Sequence, residues 1–479
     1  MCLSLMHIEI CHPVSASLHF LEKSKDIKTL LKGRLVAGKD FDDPLTKSSR
    51  YGNVSSPTIS HEAVMMIAAI AAAEGRHVMT VDISQAYTKA SMPDDIIIFI
   101  YMDPAITTRI LELKPEWSKF KTKSGGLYVR CLRGFYGTPP AGKIWYDEIS
   151  GTLKNDGFVP NPTEECCLNK PGVTQITAGL FVDDVLATSK SLENLEALKS
   201  TLESKYGQVK AKFGNVQSFL GMQFDFGTGH VSVDMIKFTN ILLEEFKDIV
   251  GYAKTPAYNN LFSVDDTSIP LTPAESKRCY RGVQMAAWLV GRNRFELGPA
   301  VAFLKSRVTK LTQQDFTKFK RVIMYLRKYP DLRLRITGNV DYQLTAYVDT
   351  SYRAYASKHG CSGASYSMGT GFLFAESSKH KLITLSSTEC ELVGAVDKSK
   401  KILWANQFLT YQRCDGSVQP PAILMQDNQS TMKLILKGRP LLQRTKHIDI
   451  RYFVLTTLEG TNCQVTMVIF VLNIYPRRI

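Results

Sequence analysis

The order of apolar and polar positions predicts helices alternating with short strands over most of the chain. The Ala-rich segment SHEAVMMIAAIAAAEGR, with Ser60 as a candidate N-cap and Gly75 near its end, predicts a helix. The apolar run HVMTVD follows at once and predicts a buried strand that ends at Asp82. The pattern NLEALKSTLESKYG, residues 194–207, predicts a second helix. The N-terminal half therefore has the pattern of an α/β domain.

Changes in composition divide the rest of the chain. Residues 255–273 are rich in Pro, Asn, Ser and Asp, which predicts a linker. Helical patterns follow it, and a new β-rich pattern begins near Asp341. We therefore predict a large α/β domain, a helical connection and a smaller α/β domain.

Length and charge narrow the class of protein. The chain has 479 residues, 44% of them hydrophobic, which is ample for a packed core in two or three domains. Its net charge of +14 favours an anionic partner, nucleic acid first, although charge alone leaves solubility as an explanation. Ten cysteines without a CxxC pair indicate neither a disulfide framework nor a zinc site, so a reducing compartment is expected. No segment predicts a signal peptide or a membrane span, so we expect a cytoplasmic protein.

Two adjacent carboxylates interrupt an apolar strand pattern in GLFVDDVLATS, residues 179–189. Neighbouring strand residues point to opposite faces, so Asp183 and Asp184 need a turn between the strands to act together. A hairpin tip next to the strand end at Asp82 would gather three carboxylates, the ligands that Mg²⁺ prefers. This suggests two-metal phosphoryl transfer, with Asp82 and Asp183 as main ligands and Asp184 in support. A solvated hairpin tip is the alternative, and the dipeptide alone would favour it.

These residues carry a family resemblance. FVDD resembles the Y/F-x-D-D signature of reverse transcriptases, and VDISQAY resembles their first palm motif, with Tyr87 at the aromatic position that rejects ribonucleotides. FYGTPPAGKIWYDEI and SFLGMQFDF are similar to the copia-type LYGxxQAGxxWY and FLG elements. LKGRLVAGKD resembles the fingers segment whose basic residues, here Lys32 and Arg34, lie near the incoming triphosphate. The motifs occur in the order expected for the polyprotein of copia-type LTR retrotransposons, from about Lys32 to Phe453.

A second set of carboxylates lies near the C-terminus. Asp349 is in TAYVDTSY, Glu391 in LSSTECELVGAV, Asp427 in ILMQDNQS and Asp449 in RTKHIDIRY. Each alone is more simply a helix cap or a surface charge. Together the segments resemble the ribonuclease H domain that follows copia-type reverse transcriptase. The resemblance implies that Asp349, Glu391 and Asp427 are metal ligands and that Asp449 is a weaker fourth. Glu391 is chosen over Glu389 because residues two apart on a helix cannot both face the metals.

The resemblance implies a fold and a function. The fold is a right-hand palm and fingers unit of α+β type, followed by a ribonuclease H-like mixed sheet with helices. The function is RNA-directed DNA polymerisation with hydrolysis of RNA in RNA–DNA hybrids, using two Mg²⁺ ions in each active site. The partners are an RNA template, a DNA primer, an RNA–DNA hybrid and deoxynucleoside triphosphates, with no membrane, in a cytoplasmic virus-like particle. The predicted parts are an atypical N-terminal segment (1–31), fingers and palm (32–254), linker and helical connection (255–340), a ribonuclease H-like domain (341–456) and an atypical tail (457–479).

Departures from the family pattern leave two alternatives open. Pro140 replaces the Gln that helps to position the nucleotide, and both ends of the chain differ from the family. We therefore expect a partial or truncated copy, either a competent enzyme or an inactive or impaired remnant that at most binds nucleic acid. A basic nucleic-acid-binding protein without metal chemistry is a third class, but it leaves the ordered motifs unexplained.

Basic residues offer weaker predictions for binding nucleic acid. Residues 305–310 and 318–329 place Lys and Arg among apolar residues at helical spacing, and Arg133 and Lys143 lie near the palm motifs. The outer faces of these helices could follow a duplex backbone. An amphipathic helix with a basic solvent face explains the same pattern.

Overall fold

The computed structural model of the chain describes residues 14–25, 28–37, 54–432 and 466–468. Four β-sheets and the helices between them make up these ranges. The helices are α1 (His61–Glu74), α2 (Ala86–Lys89), α3 (Pro104–Leu113), α4 (Ala141–Asn155), α5 (Leu192–Tyr206), α6 (Ile236–Glu245), α7 (Pro273–Val290), α8 (Gly298–Lys305), α9 (Gln313–Lys328) and α10 (Ser387–Gln412), with short 3₁₀ segments at Pro115–Phe120 and Phe295–Leu297. The strands are β1 (Val14–Lys25), β2 (Lys28–Ala37), β3 (His77–Asp82), β4 (Phe99–Met102), β5 (Leu127–Arg130), β6 (Val159–Asn161), β7 (Glu164–Lys170), β8 (Ile176–Phe181), β9 (Asp184–Ser189), β10 (Lys210–Phe213), β11 (Val216–Phe219), β12 (Met222–Gly227), β13 (His230–Asp234), β14 (Leu334–Ile336), β15 (Thr345–Ser351), β16 (Cys361–Ser367), β17 (Phe374–Lys379), β18 (Ile423–Met425) and β19 (Thr466–Val468).

The central sheet has six strands in the order β10-β3-β9-β8-β7-β6, and every neighbouring pair is antiparallel. It therefore brings β3 directly beside the β8–β9 hairpin, as the sequence predicts. A four-stranded sheet of order β2-β1-β4-β5 lies on the N-terminal side. It has a small apolar core of its own around Ile98, Ile100 and Leu127.

Helix α1 forms as its sequence predicts. The Ser60 hydroxyl accepts a hydrogen bond from the backbone of Ala63, and Gly75 ends the helix with a φ of 63°. All residues from Ala63 to Ala72 are buried, which is the pattern of a helix enclosed on every side. Gly179 on β8 leaves room for Ile59, just before the helix, because a Cβ there would lie 2.6 Å from Ile59 Cδ1. The helix therefore lies between the central sheet and the rest of the chain.

The connection between the two predicted domains contains a strand as well as helices. β14 pairs with β13 and completes a four-stranded antiparallel sheet of order β11-β12-β13-β14. Helices α7, α8 and α9 precede β14 in the chain. Through β14, the connection is hydrogen-bonded to β13, which follows the central sheet in the chain.

The last sheet is mixed, in the order β17-β16-β15-β18-β19. β15 runs antiparallel to β16 and parallel to β18, so β18 follows a crossover in which α10 lies. Helix α10 packs against β15 and β16 and, on another side, against β6 and α1. The C-terminal unit is therefore attached to the central sheet through its longest helix.

One apolar core extends through most of the described chain. It runs from Ile59 through α1 and the central sheet to Phe408 on α10 and Leu424 on β18. None of the helices described combines the length and the apolar character needed to cross a membrane. Asp449 and both predicted atypical ends, apart from β1 and β19 and residues 28–31, lie outside the described residues.

Candidate active sites

The two adjacent carboxylates lie at the tip of a tight hairpin. β8 ends at Phe181 and β9 begins at Asp184, so only two residues form the turn. Asp183 is the second of them, and Asp184 is the first residue of the returning strand. This is the turn that the sequence requires if both carboxylates are to serve one site.

The first residue of the turn, Val182, has a φ of 55°. A β-branched residue rarely adopts a positive φ, and such a conformation costs about 1–3 kcal/mol and persists only where its surroundings fix it. Here both turn carbonyls are held. Trp145 Nε1 donates to Val182 O at 2.5 Å, and the Ile83 backbone N–H donates to Asp183 O at 2.9 Å. The tip is thus fixed from α4 on one side and from the end of β3 on the other.

Asp82 lies next to this tip. In the antiparallel register its Cα is the partner of Asp184 on one side and of Lys210 on the other. Its Oδ2 lies 3.4 Å from Lys210 Nζ. The central sheet therefore gathers Asp82, Asp183 and Asp184 at one end, with a lysine at the edge.

The electrostatic cost of this arrangement is visible at Asp184. Burial, and then the nearby charges of Asp183 and Asp82, raise the pKa of its carboxyl to about 6. Proximity of like charges is what a cation site requires. In the described chain, however, the three carboxylates are less tightly grouped than the second set, for which ligand atoms lie within 4.8 Å of one another.

The second set consists of Asp349, Glu391 and Asp427. Asp349 lies on β15, Glu391 in the second turn of α10, and Asp427 two residues beyond β18. The parallel pairing of β15 with β18 brings two of the carboxylates to the same end of the sheet, and α10 supplies the third. Of the residues that the structure describes, these three form the group best arranged to hold a metal ion.

The three side chains differ in how far they are buried. Glu391 is 7% exposed, whereas the other two are exposed. Burial, and also the charges of Asp349 and Asp427, raises the pKa of Glu391 to about 7, against hydrogen bonds that lower it. Gln426 Nε2 donates to its carboxylate at 3.3 Å. Burial and the charge of Asp427 also raise the pKa of Asp349.

Glu389 is directed elsewhere. Its backbone N–H donates to Ser386 Oγ at 3.1 Å, and its carboxylate accepts from the Leu385 backbone at 2.7 Å. These are the contacts of a helix N-terminus. The helical register that favours Glu391 over Glu389 in the sequence thus agrees with the side-chain placement.

The raised pKa of Glu391 predicts a pH-dependent stability in EDTA. The folded chain keeps the Glu391 proton up to a pKa of about 7, whereas the unfolded chain loses it near the ordinary glutamate pKa of 4.5. The contribution of protonated Glu391 to the free energy of unfolding is therefore complete below about pH 4.5 and is lost as the pH rises through about 7. We expect thermal unfolding in EDTA to show a smaller decrease between these pH values for Glu391→Gln than for the unaltered chain. Equal slopes for the two proteins would contradict the assignment.

The other predicted residues of the polymerase site are placed only in part. Tyr87 lies on the short helix α2 near the end of β3, and its ring is 5.0 Å from that of Tyr136. Lys32 and Arg34 lie on β2, and their side chains are outside the described part. The end of β2 reaches the same region, because Ala37 N donates to Tyr136 O at 2.8 Å.

Pro140 is accommodated without disturbing α4. It occupies the N-cap position with a φ of −80°, before the first residue of the helix. The missing N–H of proline disrupts no helical hydrogen bond at such a position. The substitution therefore removes a donor side chain but leaves the helix that carries Trp145.

Several basic residues that were candidates for contacting nucleic acid make contacts within the protein instead. Lys318 is 5% exposed and donates to the Ser263 carbonyl, and Arg307 pairs with Asp315 at 3.1 Å. These two residues are therefore not part of a basic outer face, because burial and pairing already engage them. Lys143 pairs with Asp147 one turn along α4, and Arg133 donates to the carbonyls of residues 88 and 89.

Two residues of the polymerase site were not assigned from the sequence. Trp145 is part of the motif FYGTPPAGKIWYDEI. Nothing in that motif shows that the ring nitrogen of Trp145 reaches the hairpin tip. Lys210 is an ordinary lysine on a short strand, and only the sheet register places it beside Asp82. Both depend on contacts between segments far apart in the chain.

An antiparallel sheet that gathers three carboxylates around a hairpin tip is the arrangement expected of a palm domain. The family model for reverse transcriptase (RNA-dependent DNA polymerase) matches residues 11–257, more than half of the chain. The chain belongs to this family. The match includes residues 11–31, which are most of the N-terminal segment 1–31 predicted to be atypical.

Curated relatives agree with this family. The retrovirus-related Pol polyprotein from transposon TNT 1-94 of Nicotiana tabacum is 23% identical over 446 residues, covering 90% of this chain and 32% of the relative. The corresponding polyprotein from transposon RE2 of Arabidopsis thaliana is 23% identical over 432 residues, 88% of this chain and 27% of the relative. The chain thus spans about a third of the length of these relatives. The resemblance to copia-type retrotransposon polyproteins is confirmed.

A solved structure was also found. The foamy viral protease-reverse transcriptase in complex with RNA/DNA hybrid is similar, with 11% identity and a TM-score of 0.49, covering 93% of this chain and 50% of that one. The predicted fold class is confirmed by the family match and by the sheets themselves: an antiparallel palm-like sheet precedes a mixed sheet with helices.

The Trp145 hydrogen bond gives a prediction. Trp145→Phe keeps an aromatic ring in the core but leaves Val182 O without its donor, so the tip should lose its fixed placement. We expect primer extension to decrease about tenfold, which corresponds to about 1.4 kcal/mol, the size of one lost hydrogen bond. Trp404→Phe is the matched control, because Trp404 Nε1 also donates to a backbone carbonyl, that of Thr163 at 3.2 Å. Equal rates for the two variants would show that the tip does not depend on this bond.

Proposed function

We propose that this chain is an RNA-directed DNA polymerase with an associated ribonuclease H activity, from a copia-type retrotransposon. The observation that carries the proposal is the hairpin tip of Asp183 and Asp184 beside Asp82 in a member of the reverse transcriptase family. The substrates would be an RNA template, a DNA primer and deoxynucleoside triphosphates. The domain bounds 32–254, 255–340 and 341–456, and a cytoplasmic virus-like particle as location, are parts of the same proposal.

Mg²⁺ is the cation proposed for both sites, two ions in each. Carboxylate oxygens suit this hard cation, and both sites consist of carboxylates. Asp82, Asp183 and Asp184 would hold it in the polymerase site. Bound Mg²⁺ would activate the attacking oxygen and neutralise the charge that develops on the leaving group. The proposed role of Tyr87 is to exclude ribonucleotides, and that of Lys32 and Arg34 is to contact the triphosphate.

The proposed second reaction is hydrolysis of the RNA strand in an RNA–DNA hybrid. Its support is the group of Asp349, Glu391 and Asp427 on a mixed sheet with one long helix. Asp449 remains a proposed fourth carboxylate. Burial, and then the charges of Asp349 and Asp427, raise the pKa of Glu391. This supports a cation-binding role, because a bound cation would offset both effects.

A surface near the connection supports binding of nucleic acid. The guanidinium of Arg292 lies 3.2 Å from the ring centre of Trp288, which is 44% exposed. Phe238 lies beside the same ring, with 6.3 Å between centroids. Arg292 and Phe238 are themselves partly buried, so Trp288 is the exposed member of the three. An exposed aromatic ring beside a basic group can stack on bases and contact phosphates. The net charge of +14 acts in the same direction at long range.

Primer extension on an oligo(dT)-primed poly(A) template with Mg²⁺ tests the first activity. Degradation of an end-labelled RNA strand in a hybrid tests the second. Both activities are expected from one purified chain. Binding to the hybrid without either activity, in well-folded protein, would favour the remnant or the simple nucleic-acid-binding protein instead.

A further inference from the structure

A contact between α10 and the central domain connects the two candidate active sites. One side of this contact is a single stripe of residues along α10. The other side is formed by the start of α1 and by the segment from β6 to β8. We name this contact the α10 seam. Its residues are Lys401, Trp404, Phe408, Tyr411 and Gln412 on the helix and Glu62, Asn161, Thr163, Cys167, Asn169 and Gln175 on the central domain.

The middle of the α10 seam is buried and specific. Asn161 is 1% exposed; its Nδ2 donates to Phe408 O at 3.0 Å, and its Oδ1 accepts from Thr163 N at 3.0 Å. Asn169 Nδ2 donates to Tyr411 O at 3.2 Å, and Gln412 Nε2 lies 3.2 Å from Cys167 Sγ. Buried amides that satisfy backbone groups fix one relative placement, because a small slip would leave those groups without partners.

Further contacts lie at the two ends of α1. Lys401 Nζ donates to Glu62 Oε1 at 2.6 Å near its start. Near its end the Tyr342 hydroxyl donates to Glu74, and Gly338 lies so close that a Cβ there would be 2.4 Å from Ala69 O. The connection and the C-terminal unit together therefore contact α1 near its start and over its second half.

The same helix carries a carboxylate of the second site. α10 has 26 residues, and Glu391 lies near its N-terminus, ten residues before Lys401. At 1.5 Å per residue this separation is about 15 Å along a straight helix. Any rotation of α10 on the central domain would move Glu391, and with it the point of attack on a bound hybrid.

We propose that the α10 seam fixes the distance, in nucleotides, between the growing primer end and the place where the RNA strand is cut. Glu62, Lys401 and Asn161 are then positioning residues for RNA cleavage. The inference rests on the proposed function. It assigns the spacing to direct contact between the palm and α10, in addition to the covalent connection.

The test maps the cut on a 5′-labelled RNA template annealed to a recessed DNA primer, with the full chain. Lys401→Glu places two carboxylates at the start of α1 and should lower the fraction of cuts at the original position by about threefold or more. The total rate of RNA hydrolysis on a long hybrid should change less than twofold, because the carboxylate group itself is untouched. The double variant Glu62→Lys/Lys401→Glu restores the pair and should restore the original position.

Lys199→Glu is the matched control, since Lys199 pairs with Glu203 on the exposed face of α5 at 3.5 Å, away from the seam. It should leave the cutting pattern unchanged. Asn161→Ala is a second seam variant, which removes the buried amide and changes no charge; it should spread the cuts in the same way. An unchanged pattern in Lys401→Glu and Asn161→Ala, with both activities present, would overturn the inference alone. Absence of both activities in the unaltered chain would overturn the proposed function and, with it, the inference.

Discussion

Asp183→Asn is expected to lower primer extension by about 1,000-fold or more, because loss of about 4 kcal/mol of transition-state stabilisation has this effect. The replacement keeps the size and shape of the side chain but removes a negative charge from the hairpin tip. That charge is held beside Asp184 and Asp82, where a bound cation would relieve the repulsion among the three carboxylates.

The fold of this variant should be unchanged. The contact of Asp183 with β3 is made by its backbone carbonyl, which accepts from Ile83, and asparagine keeps that group. Hydrolysis of RNA in a hybrid by the same protein is therefore the internal control, together with the melting temperature. Asp225→Asn is the matched control variant, since Asp225 is an exposed aspartate on β12 and away from the tip. Extension at the unaltered rate would show that Asp183 is not a ligand, and unfolding would show that its carboxylate is structural.

Glu391→Gln is expected to abolish RNA hydrolysis, again by about 1,000-fold or more, and to leave primer extension unchanged. Glu391 is the buried member of its group, so it has the least access to water and the strongest need of a cation partner. Glutamine preserves the hydrogen-bonding shape beside Gln426 but cannot bind a cation as a carboxylate does. The measurement is the rate of cleavage of an end-labelled hybrid at saturating Mg²⁺.

A control for Glu391→Gln lies two residues away. Glu389→Gln makes the same chemical change at the start of the same helix, where the side chain accepts a hydrogen bond from the Leu385 backbone. We expect it to retain most of the hydrolysis, with a small loss of stability. A greater loss in Glu389→Gln than in Glu391→Gln would reverse the assignment of the two residues.

Local signals in the sequence account for much of the fold. The capping residues and Ala-rich body of α1 predict its bounds to within a residue, and the apolar run before Asp82 predicts β3. The helical period shows that Glu389 and Glu391 cannot both face one site, and the family resemblance assigns the ligand role to Glu391. Such features depend on residues that are close together in the chain, so they can be recognised in the sequence alone.

Contacts between distant segments could not be predicted in this way. The bond from Trp145 to Val182 joins residues 37 apart, and the pair of Lys210 with Asp82 joins residues 128 apart. Lys318 has the pattern of a solvent-facing lysine, yet packing of α9 buries it. β14 is too short to stand out in the sequence, and its pairing with β13 depends on the complete sheet.

The continuous apolar core has a consequence for how mutations act on the chain. Ile67 on α1 and Phe408 on α10 belong to the same packed interior, although they serve different halves of the chain. Residues that share a close-packed interior feel one another's changes in volume, because the packing leaves few voids. A cavity opened beneath α1 is therefore expected to weaken the packing around both candidate active sites. Damage to the palm would then reach the second candidate site through lost stability, without changing any carboxylate of that site.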